Sequence, residues 1–256
     1  MIANYHTHTT RCNHATGTEE EYVQSALERG LEILGFSDHT PYTFPEWHDS
    51  WFRMKLSQLD GYCDTILSLQ KAYAGKIELP LGLELEYYPA YLPELLPILR
   101  DRPVEYLLLG QHFVENEVNA HYSGKATADV DILKTYCAQS AEAMQTGLFT
   151  YFAHPDLINF RGEDSIYRQH MRLLCTEAKS CGIPLEINLL GIQKNRHYPD
   201  IRFWEIAAEE NCPVILGCDA HNSWELTDLK PEQEALAMVE QLGLKLLNKA
   251  SLVPIK

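Results

Sequence analysis

Short apolar runs alternate along this chain with longer stretches in which apolar residues return every three or four positions. The short runs predict strands near 2–6, 32–37 (EILGFS), 77–84, 104–110 (VEYLLLG), 149–153 (FTYFA), 183–188 (IPLEIN) and 213–217 (PVILG). The longer ones predict helices over 19–30, 55–74, 91–100, 129–146, 164–181, 200–211 and 231–243. Thr18, with Glu21 three residues on, is the start signal of the first helix, a capping box. Gly30, Gly75, Gly147 and Gly182 follow helical stretches, where a C-terminal glycine belongs. Seven alternations of a buried-looking strand and a helix predict an α/β fold of parallel strands with crossover helices. A closed or nearly closed β/α barrel fits the length, and a doubly wound open sheet is the competing topology. No repeat, low-complexity tract or linker interrupts the pattern, so one domain over 1–256 is expected.

Composition narrows the function classes. No run approaches the roughly 18 apolar residues of a membrane span. The start, MIANYHTHTT, lacks the basic and apolar regions of a secretion signal, so a cytoplasmic protein without a membrane partner is expected. Seven cysteines, none spaced C-x-x-C, suit reduced and mostly buried thiols. Lys and Arg number 21 against 36 Asp and Glu, a formal charge of −15, which disfavours generic nucleic-acid binding. Eleven histidines are the unusual feature, and their positions matter more than their number.

Each predicted strand ends in polar residues able to bind a ligand. The ends read His6-Thr7-His8, Asp38-His39, Glu84 and Glu86 within GLELEYYP, Gly110-Gln111-His112, Ala153-His154-Pro155-Asp156, Glu186-Ile187-Asn188, and Cys218-Asp219-Ala220-His221. Residues two apart in a strand share a side, so His6 and His8 converge, as do Asp219 and His221 if the chain stays extended. The same rule puts Glu84 and Glu86 on one side, and spacing alone does not choose between them. A single histidine at a strand end is ordinarily a surface or hydrogen-bonded residue. Joint occurrence at five or more strand ends instead predicts an N/O-rich cup at the C-terminal ends of the strands, suited to zinc, iron or manganese. His48, His121, His170 and His197 fall in helices or loops and read as surface residues.

The ordered set HTH…H, SDH, GLE, GQH, AHPD and CDAH resembles the polymerase-and-histidinol-phosphatase (PHP) family over nearly the whole chain. The opening through GFSDHTPY, with GQHF and EIN, is similar to its histidinol-phosphate phosphatase branch. The resemblance implies a distorted seven-stranded TIM-like β/α barrel holding three divalent transition-metal ions (Zn, Mn or Fe). It implies that His6 and His8 bind the first ion with Glu84 and Asp219. Glu84 then bridges to a second ion held by His112 and His154, and His14, His39 and His221 hold the third. It also selects Glu84 over Glu86.

The implied activity is phosphomonoester hydrolysis, with L-histidinol phosphate of histidine biosynthesis as the first substrate. The expected route is attack on phosphorus by a metal-bridging hydroxide without a covalent enzyme intermediate. Glu84, Asp219 and His221 are the expected catalytic residues, and Asp219 or a neighbouring acid is the candidate proton donor to the leaving alcohol. Arg161, shortly after AHPD, and Arg196, in the loop after EIN, are the candidate phosphate clamps, because a planar guanidinium matches phosphate oxygens. Lys194 and Arg11 are weaker candidates. The segment LLGIQKNRHYP departs from the branch, which more often has small polar residues and an arginine soon after the glycine. The aromatic stretch YTFPEWHDSWF (42–52) is either a lid or, the favoured reading, a packing loop. Another small phosphate ester, phosphotyrosine or a nucleotide is the alternative substrate. An amidohydrolase-type C–N hydrolase is less favoured, since no lysine stands at a strand end.

Overall fold

The structure is a computed structural model that describes residues 1–118 and 121–255. Among these the strands are β1 (Ala3–Asn4), β2 (Ile33–Leu34), β3 (Phe36–His39), β4 (Leu81–Leu85), β5 (Tyr106–Leu109), β6 (Tyr151–Phe152), β7 (Leu185–Asn188), β8 (Pro213–Gly217) and β9 (Lys245–Leu246). The helices are α1 (Glu19–Arg29), α2 (Leu59–Ala72), α3 (Leu92–Arg100), α4 (Val130–Gln145), α5 (Asp164–Cys181), α6 (Leu189–Gln193), α7 (Ile201–Glu209) and α8 (Lys230–Leu242). All strand pairs are parallel, with β3 to β9 side by side in chain order and β1 paired with β2. This is the expected α/β architecture. The capping box at α1 is present, with Glu21 N–H donating to Thr18 Oγ1 at 3.3 Å and Thr18 N–H to Glu21 Oε2 at 2.6 Å.

β9 and the short α6 lie outside the predicted elements, and two further features differ from the sequence expectation. The run 32–37 divides into β2 and β3 at Gly35, where the Tyr106 side chain crosses: a Cβ at Gly35 would lie 2.3 Å from the Tyr106 hydroxyl. The expected barrel of seven closed strands is not among the sheets formed. Residues 4–7 do reach both sides, through Gly35 N–H to Asn4 O (2.7 Å), Ser37 N–H to Thr7 O (2.8 Å) and a lone Thr7–Ala220 bridge. These contacts are too scattered to make a continuous ladder.

Strand alternation separates two apolar clusters. Leu81, Leu83, Leu85, Leu107 and Leu109 face the helices within the large outer core. Tyr5, Tyr106, Leu108, Tyr151, Ala153 and Ile215 form an inner cluster, against which Ala250 and Leu252 of the C-terminal segment pack. Glu84, one step out of register with the outward leucines of β4, belongs to the inner side. The metal-type ligands gather on that side at the C-terminal strand ends. Among the described residues no helix is long and apolar enough to cross a membrane.

Candidate metal centre

Beyond β1, His6 and His8 flank Thr7, which bridges to Ala220, and both histidines are fully buried. Asp38 pins the turn that follows, accepting from Thr9 N–H at 3.2 Å and from the Thr9 hydroxyl. Thr16 N–H then donates to His221 O (2.8 Å), which ties the loop carrying His14 to the end of β8. As a result seven imidazoles form a closed ring. His6, His8, His221, His14, His39, His112, His154 and again His6 follow one another with ring centroids 4.1 to 5.7 Å apart.

Glu84 is the hub. Its Oε2 lies 3.5 Å from His6 Nε2, 3.6 Å from His8 Nε2 and 3.0 Å from His39 Nδ1. Its Oε1 lies 3.4 Å from His112 Nε2 and 2.8 Å from His154 Nε2. Asp219 Oδ1 is 3.5 Å from His6 Nε2 and 3.0 Å from His8 Nε2. Two ligands held about 2.1 Å from one tetrahedral ion sit roughly 3.4 Å apart. The four distances among His6, His8, Glu84 and Asp219 centre on that edge length, whereas hydrogen bonds would be shorter and aligned.

The unpartnered atoms agree with this geometry. His6 Nε2, both nitrogens of His8, His39 Nδ1, Glu84 Oε2 and His221 Nε2 are buried without a hydrogen bond. Left so, each costs about 1–3 kcal/mol, and a cation shared among them removes that cost. Several rings are fixed through their other nitrogen: His6 Nδ1 to Glu186 Oε2 (2.8 Å), His14 Nδ1 to Cys12 O (2.7 Å), His112 Nδ1 to Glu86 Oε1 (2.8 Å) and His221 Nδ1 to Asp219 O (2.8 Å). Such anchoring turns Nε2 inward and sets its lone pair for a metal. His6, His8 and Asp219 form one group of ligand atoms compact enough for an ion, His6, Glu84 and His154 another, and His14, His39 and His221 a further one. The residues present therefore fit divalent transition metals.

Charge in the cluster is divided. Burial works against ionisation of Glu84, but His112 and His6 outweigh it and hold the carboxyl well below its usual range. Asp219 is likewise held low against burial by His6 and His8. Burial depresses His39, His221 and His14, with the neighbouring His8 adding to it, so these rings favour the neutral, ligating form. His154 and Asp219 also adopt positive φ, 33° and 51°. Left-handed backbone at non-glycine residues costs about 1–3 kcal/mol and collects where a site demands it.

The ring floors a cleft of about 640 Å³ whose wall includes Trp51, Phe52, Phe113 and Tyr122 on the aromatic side and Lys194 and Arg196 on the cationic side. Arg196 reaches it with Nη1 against the Tyr198 hydroxyl. Arg161 does not: it lines a separate cleft with Asn159 and Arg202, and its Nε donates to Asn159 Oδ1 at 2.7 Å. The Thr127–Phe160 bridge, with Arg161 N–H donating to Thr127 O at 2.7 Å, holds the chain at that point. Arg11 is occupied with Glu19 and Thr65, away from the cleft. In the aromatic stretch, Phe52 is buried, 5.0 Å from the His39 ring, and Tyr42 and Phe44 pack on Tyr88 and Tyr91, while Trp51 stays 73% exposed at the cleft edge. His48 and His197 are half-buried rather than surface residues, bonded to Glu117 (3.0 Å) and Leu157 O (2.8 Å).

Sequence reasoning placed Glu186, Asp38 and Glu86 at strand ends but did not foresee their places behind the candidate ligands: Glu186 behind His6, Asp38 near His8, and Glu86 behind His112. Two glycines make room for such carboxylates. A Cβ on Gly110 would lie 2.1 Å from Glu84 Oε1, and one on Gly217 would lie 2.1 Å from Glu186 Oε2. The G of GQH and the E of EIN were the available signals.

The sequence pattern of the PHP domain matches residues 4–189. A probable histidinol-phosphatase of Deinococcus radiodurans is 32% identical, with 88% of each chain covered. The histidinol-phosphatase of Bacillus subtilis is 31% identical over 85% of this chain and 92% of its own. A crystal structure of histidinol phosphate phosphatase from Lactococcus lactis, complexed with zinc, L-histidinol and phosphate, superposes with a TM-score of 0.77 at 19% identity, covering 100% of this chain and 98% of that one. Five imidazoles from four strand ends gathered on one glutamate, and a sequence that matches across those same strands, have one explanation: the chain belongs to the PHP domain family.

Proposed function

We propose that this protein is a metal-dependent phosphomonoesterase and that its substrate is L-histidinol phosphate, hydrolysed to L-histidinol and phosphate. The observation that carries the reading is Glu84, whose two oxygens face five imidazoles at the floor of a cleft with Arg196 at its wall. The names of the Deinococcus and Bacillus relatives support the substrate assignment. The ligand atoms are numerous enough for three divalent ions: one on His6, His8, Glu84 and Asp219, one on Glu84, His112 and His154, and one on His14, His39 and His221. Because the ligands run from His6 to His221, residues 1–256 are read as one domain. The touch of residues 4–7 on both sheet edges supports a distorted, nearly closed barrel.

When bound, such ions neutralise phosphoryl oxygens, acidify water and stabilise the leaving alkoxide, and Zn, Mn and Fe all suit the donors. The chain's own contribution is positional. Glu84 and Asp219 are kept ionised, and the anchored rings turn Nε2 inward. Arg196, always charged, supplies a planar fork to the phosphate. Asp219 accepts from Asn188 Nδ2 at 3.1 Å on Oδ2 and lines the cleft, where, being ionised, it would have to take up a proton before giving one to the leaving oxygen. The aromatic wall offers an apolar face to the organic part of the ester, and a cleft of this size suits a small molecule.

The test is phosphate release from histidinol phosphate, phosphotyrosine and nucleotides by protein of measured metal content. Preference for histidinol phosphate by tenfold or more in kcat/KM is the expected result. Equal rates across the panel would move the substrate elsewhere, and no release with any metal would remove the phosphatase reading.

A further inference from the structure

Arg53 lies outside every motif considered above, yet it is 2% exposed. Burying a guanidinium costs several kcal/mol unless its donors are matched. Here all five are. Nε donates to Glu117 Oε2 (2.9 Å), Nη1 to Thr40 O (2.8 Å) and Glu86 Oε2 (3.0 Å), and Nη2 to Glu86 Oε1 (3.0 Å) and Glu117 Oε2 (2.6 Å). Its carbon sits 4.3 Å over the Phe52 ring, whose edge meets His39 and His112. The bidentate grip takes both oxygens of Glu86, and Oε1 also takes the Nδ1 proton of His112 at 2.8 Å.

This arrangement answers the question the sequence left open between two glutamates on one face of β4. Glu86 is turned toward Arg53 and serves His112 from behind, and Glu84 alone faces the other imidazoles. We propose that Arg53 is a positioning residue: by clamping Glu86 it fixes the tautomer and ring orientation of His112, directs His112 Nε2 at Glu84, and keeps Glu86 from acting as a ligand. The proposal rests on the reading of His112 as a metal ligand. It also assigns the stretch 42–54 a task beyond packing, since the residue after Phe52 anchors it to the ligand shell.

The experiment compares Arg53→Met, Arg53→Lys, Glu86→Gln and Glu117→Gln with wild type. Readouts are metal stoichiometry and affinity by dialysis, the visible spectrum of the cobalt-substituted protein, and the ring-nitrogen NMR signals of His112. Steady-state kinetics are measured alongside. Both Arg53 variants and Glu86→Gln are expected to weaken one ion about 10–100-fold, the range for removing an outer partner of a ligating histidine. The cobalt spectrum should change, and kcat should fall with KM held within threefold. Glu117→Gln removes a partner of Arg53 without touching Glu86, so it should lower stability but leave the spectrum unaltered. If Arg53→Met does not fold, Arg53→Lys and Glu86→Gln carry the test, since lysine keeps the charge and lacks the fork. Folded Arg53 variants with wild-type affinity, spectrum and His112 signals would overturn the proposal. So would a Glu117→Gln protein that shows the same losses, because the role would then be structural. Wild-type protein that binds no metal would instead overturn the functional reading and this proposal with it.

Discussion

Gly110→Ala isolates the placement of Glu84 better than replacing the glutamate itself. The backbone at Gly110 lies outside the left-handed region, so alanine meets no conformational obstacle there. The added Cβ, however, would stand 2.1 Å from Glu84 Oε1 and 2.6 Å from its Cδ. Ordinary contact begins near 3.4 Å, so the carboxylate must retreat by about 1.3 Å, many times the ±0.2 Å that a metal–ligand distance tolerates. It has nowhere to go, because Oε1 already sits between His154 at 2.8 Å and His112 at 3.4 Å, and Oε2 faces His39 at 3.0 Å. The expected loss is at least tenfold in metal affinity and about a hundredfold in kcat/KM, the latter about 2.7 kcal/mol at 1.36 kcal/mol per decade. Calorimetric titration of the metal-free protein with zinc or manganese measures the first, and initial rates on a phosphate ester measure the second. Gly61→Ala in α2, where a Cβ meets nothing within 4 Å, is the control, expected to raise stability by about 0.5–1 kcal/mol with metal binding unchanged. Wild-type affinity and rate in Gly110→Ala would refute the central position given to Glu84.

Three further outcomes are expected. Arg196→Ala should raise KM for phosphate esters about 10–100-fold, the worth of a charged hydrogen bond, while Arg161→Ala stays within twofold; steady-state kinetics on both variants decide the matter. Removing metal with a chelator should lower the melting temperature by roughly 8–16 °C if free metal stood near a thousand times Kd, since that linkage is about 4 kcal/mol and each kcal/mol moves a chain of this size about 2–4 °C; scanning calorimetry measures the shift. Trp204→Phe should cost about 1–3 kcal/mol in urea unfolding, because it strips the 3.0 Å indole hydrogen bond from the buried carboxylate of Asp156.

Most of the fold was legible because each element carries a local signature. The two-residue alternation of β4 and β5 and the capping box at Thr18 are written in neighbouring residues and need no tertiary information. The candidate ligands on strand ends were legible for the same reason, since period two sends His6 and His8 one way whatever surrounds them. What escaped depends on residues distant in sequence. The choice between Glu84 and Glu86 is made by Arg53, more than thirty positions earlier, and no spacing rule within β4 contains it. The break at Gly35 coincides with the crossing of a tyrosine from β5, a residue about seventy positions away. Arg161 and Arg196 looked alike because each follows a strand end by a few residues. They separate in the structure: Arg161 follows the Thr127–Phe160 bridge and lines the neighbouring cleft, whereas Arg196 follows α6, capped by Asn188 through Gly191 N–H at 2.8 Å, and lines the cleft on the metal side. A loop arginine is therefore placed by what its loop is bonded to, and distance from the strand is a poor guide. That is why the candidate phosphate clamp was the least legible part of this site, and why the pair Arg161→Ala and Arg196→Ala discriminates where either variant alone would not.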